Sequence, residues 1–308
     1  MIELKNTIKN FDSYNALDGV DIKVEKGSAF GLIGSNGAGK STILRLLSGI
    51  YKPDGGEVLI DGEKVYDNIS AKQKVFFIND ETVQFGSHTL ESLKRYYKGY
   101  YPDFSEEMFS DLVKRVNLPM NKKINTFSKG MKRQAIVIIG ISCNTPYLLL
   151  DEAFDGLDPT MRIIVKKMLV DAMLDRQLTG IISSHNLSMI NELCDTAALL
   201  HSGKIVFSSE IDSVMSSIHK VQAVFRADEN GTAPEVTKEQ LSELGLEVLH
   251  FERSMSIYFF IIKGDEEQIS STLRKNFDPL VLEMIPLSLE EIFIYELEVR
   301  GYDSSDIE

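Results

Sequence analysis

A chain of 308 residues, 43% hydrophobic and 26% charged, has room for one large and one small domain and lies far from the composition of a disordered chain. Its formal net charge of -13 sets the average surface against nucleic-acid phosphates and anionic lipid, so no nucleic-acid partner is expected. The two cysteines, Cys143 and Cys194, form no CxxC pair, so neither a disulfide framework nor a zinc site is suggested and a reducing cytoplasm fits.

The opening MIELKNTIKNF alternates apolar and charged residues and lacks the continuous apolar core of a secretory signal. Two extended runs follow within residues 17 to 33, LDGVDIKVE and SAFGLIG, separated by a turn at Lys26-Gly27. The second leads into GSNGAGKST, after which Ile43, Leu44, Leu46 and Leu47 recur at helical spacing up to Gly49, so the order is strand, loop, helix. YKPDGGEVLIDGEKV reads as turn, strand, turn, strand, and a mostly helical insert follows through Leu93, SEEMFSDLVKRV and Met131 to Cys143. Within it, the most apolar stretch of the chain, Ala135 to Cys143, is about half of the ~20 residues that span a bilayer, so a membrane channel has to come from another polypeptide.

Strand-like runs return at YLLLDE and TGIISSH, each followed by a helical pattern, the alternation of a parallel sheet covered by helices. From about Val221 the order becomes strand, helix, strand, strand, helix, strand, the split arrangement of a ferredoxin-like domain. A last helical run, SLEEIFIYELEV, starts at the plausible cap Ser288 with two glutamates in its first turn. The expected architecture is therefore an α/β domain over 1-215, with a helical subdomain at about 82-145, and a small α+β domain over 216-308.

Gly34, Ser35, Asn36, Gly37, Ala38, Gly39, Lys40, Ser41 and Thr42 match GxxxxGK[ST] with the strand before and the helix after that a phosphate loop requires. Glycines let successive backbone N–H groups turn inward around phosphates, and the helix N-terminus adds partial positive charge. Lys40 would reach the β- and γ-phosphates of ATP, and Ser41 would offer its hydroxyl to Mg2+. Such a loop leaves kinases, GTPases and many ATPases open. The later strand YLLLDE ends in adjacent carboxylates, one placed for the metal and the next for polarising an attacking water, although acids at strand ends are also common structural features.

In this order and spacing, FSKGMKRQ resembles the signature of ABC ATPases, DGLD their following loop and the serine-serine-His185 run their switch histidine. The resemblance covers roughly residues 1 to 215, and the closing SLEEIF is similar to a segment near the C-terminus of many exporter ATPases, which favours export. It implies that Asp151 helps hold Mg2+, Glu152 is the general base, His185 contacts the γ-phosphate and Phe11 stacks on adenine. By the same resemblance, Ser128 and Gly130 complete the ATP site of a second subunit, so two cassettes, with a homodimer sufficient, sandwich ATP head to tail and drive a separate transmembrane permease at the cytoplasmic face of the membrane.

Two positions depart from the family pattern. The usual Ser-Gly-Gly-Gln is here Ser128-Lys129-Gly130-Met131, with Lys129 open to a phosphate-facing or a solvent-facing role. The family's early glutamine is replaced in VFFINDE by Asp80, a potential Mg2+ ligand, with Gln84 the rival assignment. An alternative function, a soluble ABC protein acting on ribosomes or DNA, lacks the fused second cassette or long coiled coil of such proteins and suits the acidic balance poorly. The C-terminal domain is open to a sensor or a dimer-stabilising role.

Overall fold

The computed structural model describes residues 1–12, 14–79, 86–226, 234–299 and 301. Contacts divide the chain into two units, Met1–Ser208 and Ser209–Glu308.

The alternation at the start of the chain is a strand, β1 (Ile2–Phe11), which buries Ile2, Leu4 and Thr7. It pairs antiparallel with β2 (Tyr14–Val24) and β4 (Gly55–Ile60), and β5 (Glu63–Lys64) completes a four-stranded sheet in the order β2-β1-β4-β5. β1 carries register shifts after Leu4 and after Thr7, which interrupt its pairing with β2 along the alternating segment.

The second sheet positions the site. Its six strands run β10 (Lys204–Glu210), β9 (Thr196–His201), β3 (Ala29–Ile33), β8 (Thr179–Ser184), β7 (Tyr147–Asp151), β6 (Val75–Ile78). β3 is buried along its length and pairs parallel with β8 and β9, while β7 pairs parallel with β6 and β8. Parallel pairing brings the C-terminal ends of β3, β8 and β7 to one edge, where an open α/β sheet leaves room for a ligand. Helix α1 (Lys40–Leu47) follows β3 and buries Ile43, Leu44, Leu46 and Leu47 against the sheets, while short α2 (Ile69–Gln73) precedes β6.

The helical insert consists of α3 (Leu90–Tyr100), α4 (Glu106–Val116) and α5 (Lys129–Ser142), with side-chain caps at Thr89, Ser105 and Ser128. The apolar run of α5 from Ala135 to Ile141 is buried against α4, α6 (Pro159–Arg176) and β6, so it is core packing. Among the described residues no helix is long and apolar enough to cross a membrane. After β8 comes α7 (Leu187–Leu193), whose Met189 and Ile190 are buried.

In the second unit, α8 (Ile211–Ser217) precedes β11 (Ile218–Phe225), α9 (Lys238–Glu243), β12 (Glu247–Ser254), β13 (Ile257–Lys263), α10 (Glu266–Phe277), β14 (Pro279–Ile285) and α11 (Leu289–Val299). The strands form an antiparallel sheet in the order β12-β13-β11-β14. Successive residues of β13 serve opposite faces: Phe260 packs with Leu241 of α9 and Ile269 and Leu273 of α10, and Ile261 with Ile292 of α11. Ser288 caps α11, accepting from Glu291 N at 3.2 Å, while the Glu291 carboxylate accepts from Ser288 N at 2.9 Å. The units part at 208/209 rather than the expected 215/216 because α8 packs on α11 and so joins the second unit.

Phe260→Ala deletes a fully buried ring and is expected to destabilise the second unit by about 3–5 kcal/mol, read as a lower urea midpoint in far-UV circular dichroism.

Candidate active site

The loop between β3 and α1 is shaped by three glycines with positive φ: Gly34 at 156°, Gly37 at 85° and Gly39 at 114°. At two of them no side chain fits, since a Cβ on Gly34 would lie 2.2 Å from the Leu200 carbonyl and one on Gly39 2.8 Å from that of Ala16. Ser35 is half-buried, Asn36 exposed, and buried Ala38 closes the loop internally by donating from its N–H to Ser35 O at 3.2 Å. α1 starts without a side-chain cap and with no acid in its first turn, so the N–H groups around Lys40, Ser41 and Thr42 keep their capacity for an anion.

Lys40 is 6% exposed and turns back on the loop, donating to Gly34 O at 2.5 Å and Ser35 O at 3.2 Å. Its Nζ also lies 3.6 Å from Glu152 Oε1. Burial pulls the Lys40 ammonium below its ordinary range, with Glu152 and Asp151 opposing.

Across the sheet edge stands the pair that ends β7. Asp151, 1% exposed, accepts at a single oxygen, Oδ1, from Ser41 Oγ at 3.0 Å and from Ser183 Oγ at 2.6 Å. Glu152 follows in a left-handed conformation, φ 44°, held where its N–H reaches Ser183 O and Ser183 Oγ, each at 3.2 Å. A non-glycine residue in that region costs on the order of 1 kcal/mol, and such strain is typical of functional positions. His185, just past β8, places Nδ1 at 3.2 Å from Glu152 Oε2 and 3.8 Å from Asp155 Oδ2.

The remaining Glu152 oxygen, Oε1, is buried and among the described residues has no hydrogen-bond partner, Lys40 Nζ standing 3.6 Å away. Burial raises the Glu152 pKa above its ordinary 4.5, with Asp155 adding to the rise and Lys40 and His185 opposing it. A carboxylate in this state, with one oxygen oriented by an imidazole and the other facing the Lys40 ammonium without a hydrogen bond, can take a proton from water.

Phe11 lies at the end of β1, 37% exposed, with the Tyr51 ring edge-on at 5.2 Å and Lys9 Nζ 5.2 Å from its centroid. Ser128 and Gly130 stand apart from this cluster. Ser128 caps α5 by accepting from Met131 N at 3.2 Å, and a Cβ on Gly130 would lie 3.5 Å from Met161 Cγ at the start of α6. Among the described residues neither is hydrogen-bonded to the phosphate loop. Asp80 and its rival Gln84 lie outside the described residues.

Three residues that lie in the quoted sequence motifs without an assigned role take part in the site. Ser183, two residues before His185, ties Asp151 to β8. Asp155 joins Glu152 and His185 in a group whose ligand atoms lie within 4.8 Å of one another. Lys129 stretches over Gly156: a Cβ there, at φ 68°, would meet Lys129 Nζ at 2.3 Å. The signature helix thus rests on the loop that carries Asp155.

An ABC transporter family profile matches residues 17–155. Over 294 residues the chain is 30% identical to the ABC transporter ATP-binding protein YtrB of Bacillus subtilis (strain 168), covering 96% of this chain and 97% of that protein. This chain belongs to the ABC transporter ATP-binding proteins. Members of this family of ATP-binding cassettes hydrolyse ATP, so the chain is an ATPase. It is also 31% identical over 230 residues to the methionine import ATP-binding protein MetN of Protochlamydia amoebophila (strain UWE25), covering 70% of this chain and 67% of that one. Similarity therefore spans an importer subunit and carries no transport direction by itself. Among solved structures, a dimeric ATP-binding cassette in a post-hydrolysis state bound to ADP and Pi has the same fold, with a TM-score of 0.62, 21% identity, and coverage of 68% of this chain and 99% of that one.

A base must be unprotonated to act, and burial raises the Glu152 pKa, so ATPase activity should fall on acidification through a pH above 4.5; a profile flat to below 4.5 would count against Glu152. Ser183→Ala leaves the Asp151 carboxylate one donor short and is expected to lower kcat about tenfold, measured by phosphate release, with folding preserved.

Proposed function

We propose that the chain powers an ABC exporter as one of two identical ATPase subunits, bound at the cytoplasmic face of the membrane to a separate transmembrane permease. The observation that carries the motor reading is Glu152 itself, half-buried between Lys40 and His185, its Oε1 3.6 Å from Lys40 Nζ and without a hydrogen bond among the described residues, at the edge where the phosphate loop ends. In this reading Lys40 leaves the carbonyls of Gly34 and Ser35 for the β- and γ-phosphates, the N–H groups of the loop and of α1 surround them, and Phe11 stacks on adenine. Glu152 accepts the proton of the attacking water, and His185 holds the carboxylate and faces the γ-phosphate.

The donor set fits Mg2+. Ser41 Oγ and Asp151 Oδ1 are hard oxygens 3.0 Å apart, the separation of neighbouring ligands on an octahedral ion bound at about 2.1 Å. Ser41 and Asp151 would hold the ion, and the chemistry it would supply there is positive charge that offsets the charge developing in phosphoryl transfer.

Ser128 and Gly130 fit the second half of a neighbour's site: they head a fourteen-residue helix whose first turn holds no acid and carries Lys129. Two ATP molecules held between two cassettes can supply the roughly 5.5 kcal/mol that swings a two-state element from mostly open to mostly closed. Closure then pulls on the cytoplasmic loops of the permease. The reading of the C-terminal unit as ferredoxin-like is supported by its β-α-β-β-α-β order and by a sheet in which the first and third of its strands lie side by side at the centre. Export is supported by the closing SLEEIF segment, at the start of α11.

Glu152→Gln is expected to keep ATP binding, lower kcat about 10²–10⁴-fold and trap an ATP-dependent dimer on size exclusion; undiminished turnover would remove the base assignment. The trapped form, purified from its host in mild detergent, should carry a stoichiometric membrane-spanning chain identified by mass spectrometry. Ribosomal or DNA-associated proteins in its place would sink the transporter reading. Inside-out vesicles containing the pair should accumulate cargo with ATP; accumulation by right-side-out vesicles instead would reverse the direction.

A further inference from the structure

The phosphate loop has a weak point at its crest. Gly37 adopts φ 85° with nothing among the described residues within 4 Å of where a Cβ would sit, so packing does not fix the peptide that follows it, whose N–H is tied only within the loop, from Ala38 to Ser35 O at 3.2 Å. Lys40 braces the base of the loop through Gly34 O and Ser35 O, but the same ammonium is what turns to the phosphates. At the far side, Gly203 N donates to Ala38 O at 3.0 Å. Among the described residues, one hydrogen bond reaches Ser35, Asn36 or Gly37 from an element other than the loop and its helix: Tyr14 Oη donates to Gly37 O at 2.7 Å.

Tyr14 is the first residue of β2 and sits opposite Phe11 across the β1–β2 hairpin. Its ring is 53% exposed, so packing is not what the hydroxyl serves. A trans peptide is planar, with its C=O and N–H pointing opposite ways. Anchoring the Gly37 carbonyl outward therefore supports from the other side the inward Ala38 N–H, which donates to Ser35 O at 3.2 Å. A flip of this peptide would break both bonds and point a carbonyl dipole into the loop, where the phosphates have to lie.

We propose that Tyr14 is a positioning residue for the nucleotide, its hydroxyl holding the Gly37 C=O turned outward, away from the space the loop keeps for the phosphates. This rests on the ATP-binding reading of the loop. Phe11 and Tyr14, paired at one hairpin tip, then divide the work: one takes the base by its ring, the other tends the phosphate loop by its oxygen.

The test uses the full chain with MgATP, comparing wild type, Tyr14→Phe and Lys40→Ala by equilibrium binding, steady-state phosphate release and melting temperature. Tyr14→Phe removes one oxygen and keeps the ring. A single neutral hydrogen bond corresponds to about three- to tenfold in affinity, so Kd and KM should rise by that factor with kcat within about twofold and the melting temperature unchanged. Unchanged Kd and KM would overturn the proposal, and so would a loss confined to kcat, which would put the hydroxyl in the chemistry. A melting temperature that falls in step with affinity would assign Tyr14 to folding and overturn it as well. A wild type that binds no more MgATP than Lys40→Ala would remove the nucleotide reading, and this proposal with it; wild-type binding with Tyr14→Phe equal to it removes this proposal alone.

Discussion

One carboxylate oxygen holds the active edge together. Asp151 Oδ1 accepts from Ser41 on the helix after the phosphate loop and from Ser183 on the neighbouring strand, so three elements converge on one buried atom. Buried charge is tolerable only when it is hydrogen-bonded or bound to an ion. Everything else at the site depends on that anchor: Ser183, held by it, in turn fixes the Glu152 N–H, and that fixes the strained backbone that aims the Glu152 carboxylate between Lys40 and His185.

The same geometry explains the electrostatics. Lys40 and Glu152 each lose solvation in the crevice, and each is shifted toward its neutral form by burial while the other opposes the shift. The pair is therefore held in balance, with the lysine bonded to loop carbonyls and standing 3.6 Å from Glu152 Oε1. The seat of Lys129 over Gly156 extends this network to the N-terminus of α5, so the segment read as serving a neighbouring subunit touches the loop that carries Asp155.

Much of this site was legible in sequence because its chemistry is local. The phosphate loop needs its glycines, lysine and serine at fixed spacing along a single turn, and the turn is bounded by a strand and a helix with clear periodicity. The adjacent Asp151 and Glu152 were visible as acids at the end of an apolar strand, yet strand-end acids are common, and only the order of later segments singled them out. Tyr14 carried no local mark, and Ser183 and Asp155, though within the marked serine-serine-His185 and DGLD runs, carried none that told their roles. The first acts on a loop 23 residues away and the second on a carboxylate 32 residues away, through contacts no spacing rule encodes.

The sequence by itself determined the class of the machine: which turn can hold phosphates, that β3, β7 and β8 would be buried strands, and that the longest apolar run is too short for a membrane. Local periodicity and turn chemistry decide those things within one or two turns of chain. Tertiary structure alone decided which strand stands beside which, and with it the order β3-β8-β7 that brings Lys40, His185 and Glu152 to one edge. It also paired β1 with β2 across its register shifts and moved the unit boundary to 208/209, since α8 is claimed by its packing on α11. Such choices are made by burial and pairing between segments far apart in the chain, where the free energy belongs to the contact and neither segment records it alone.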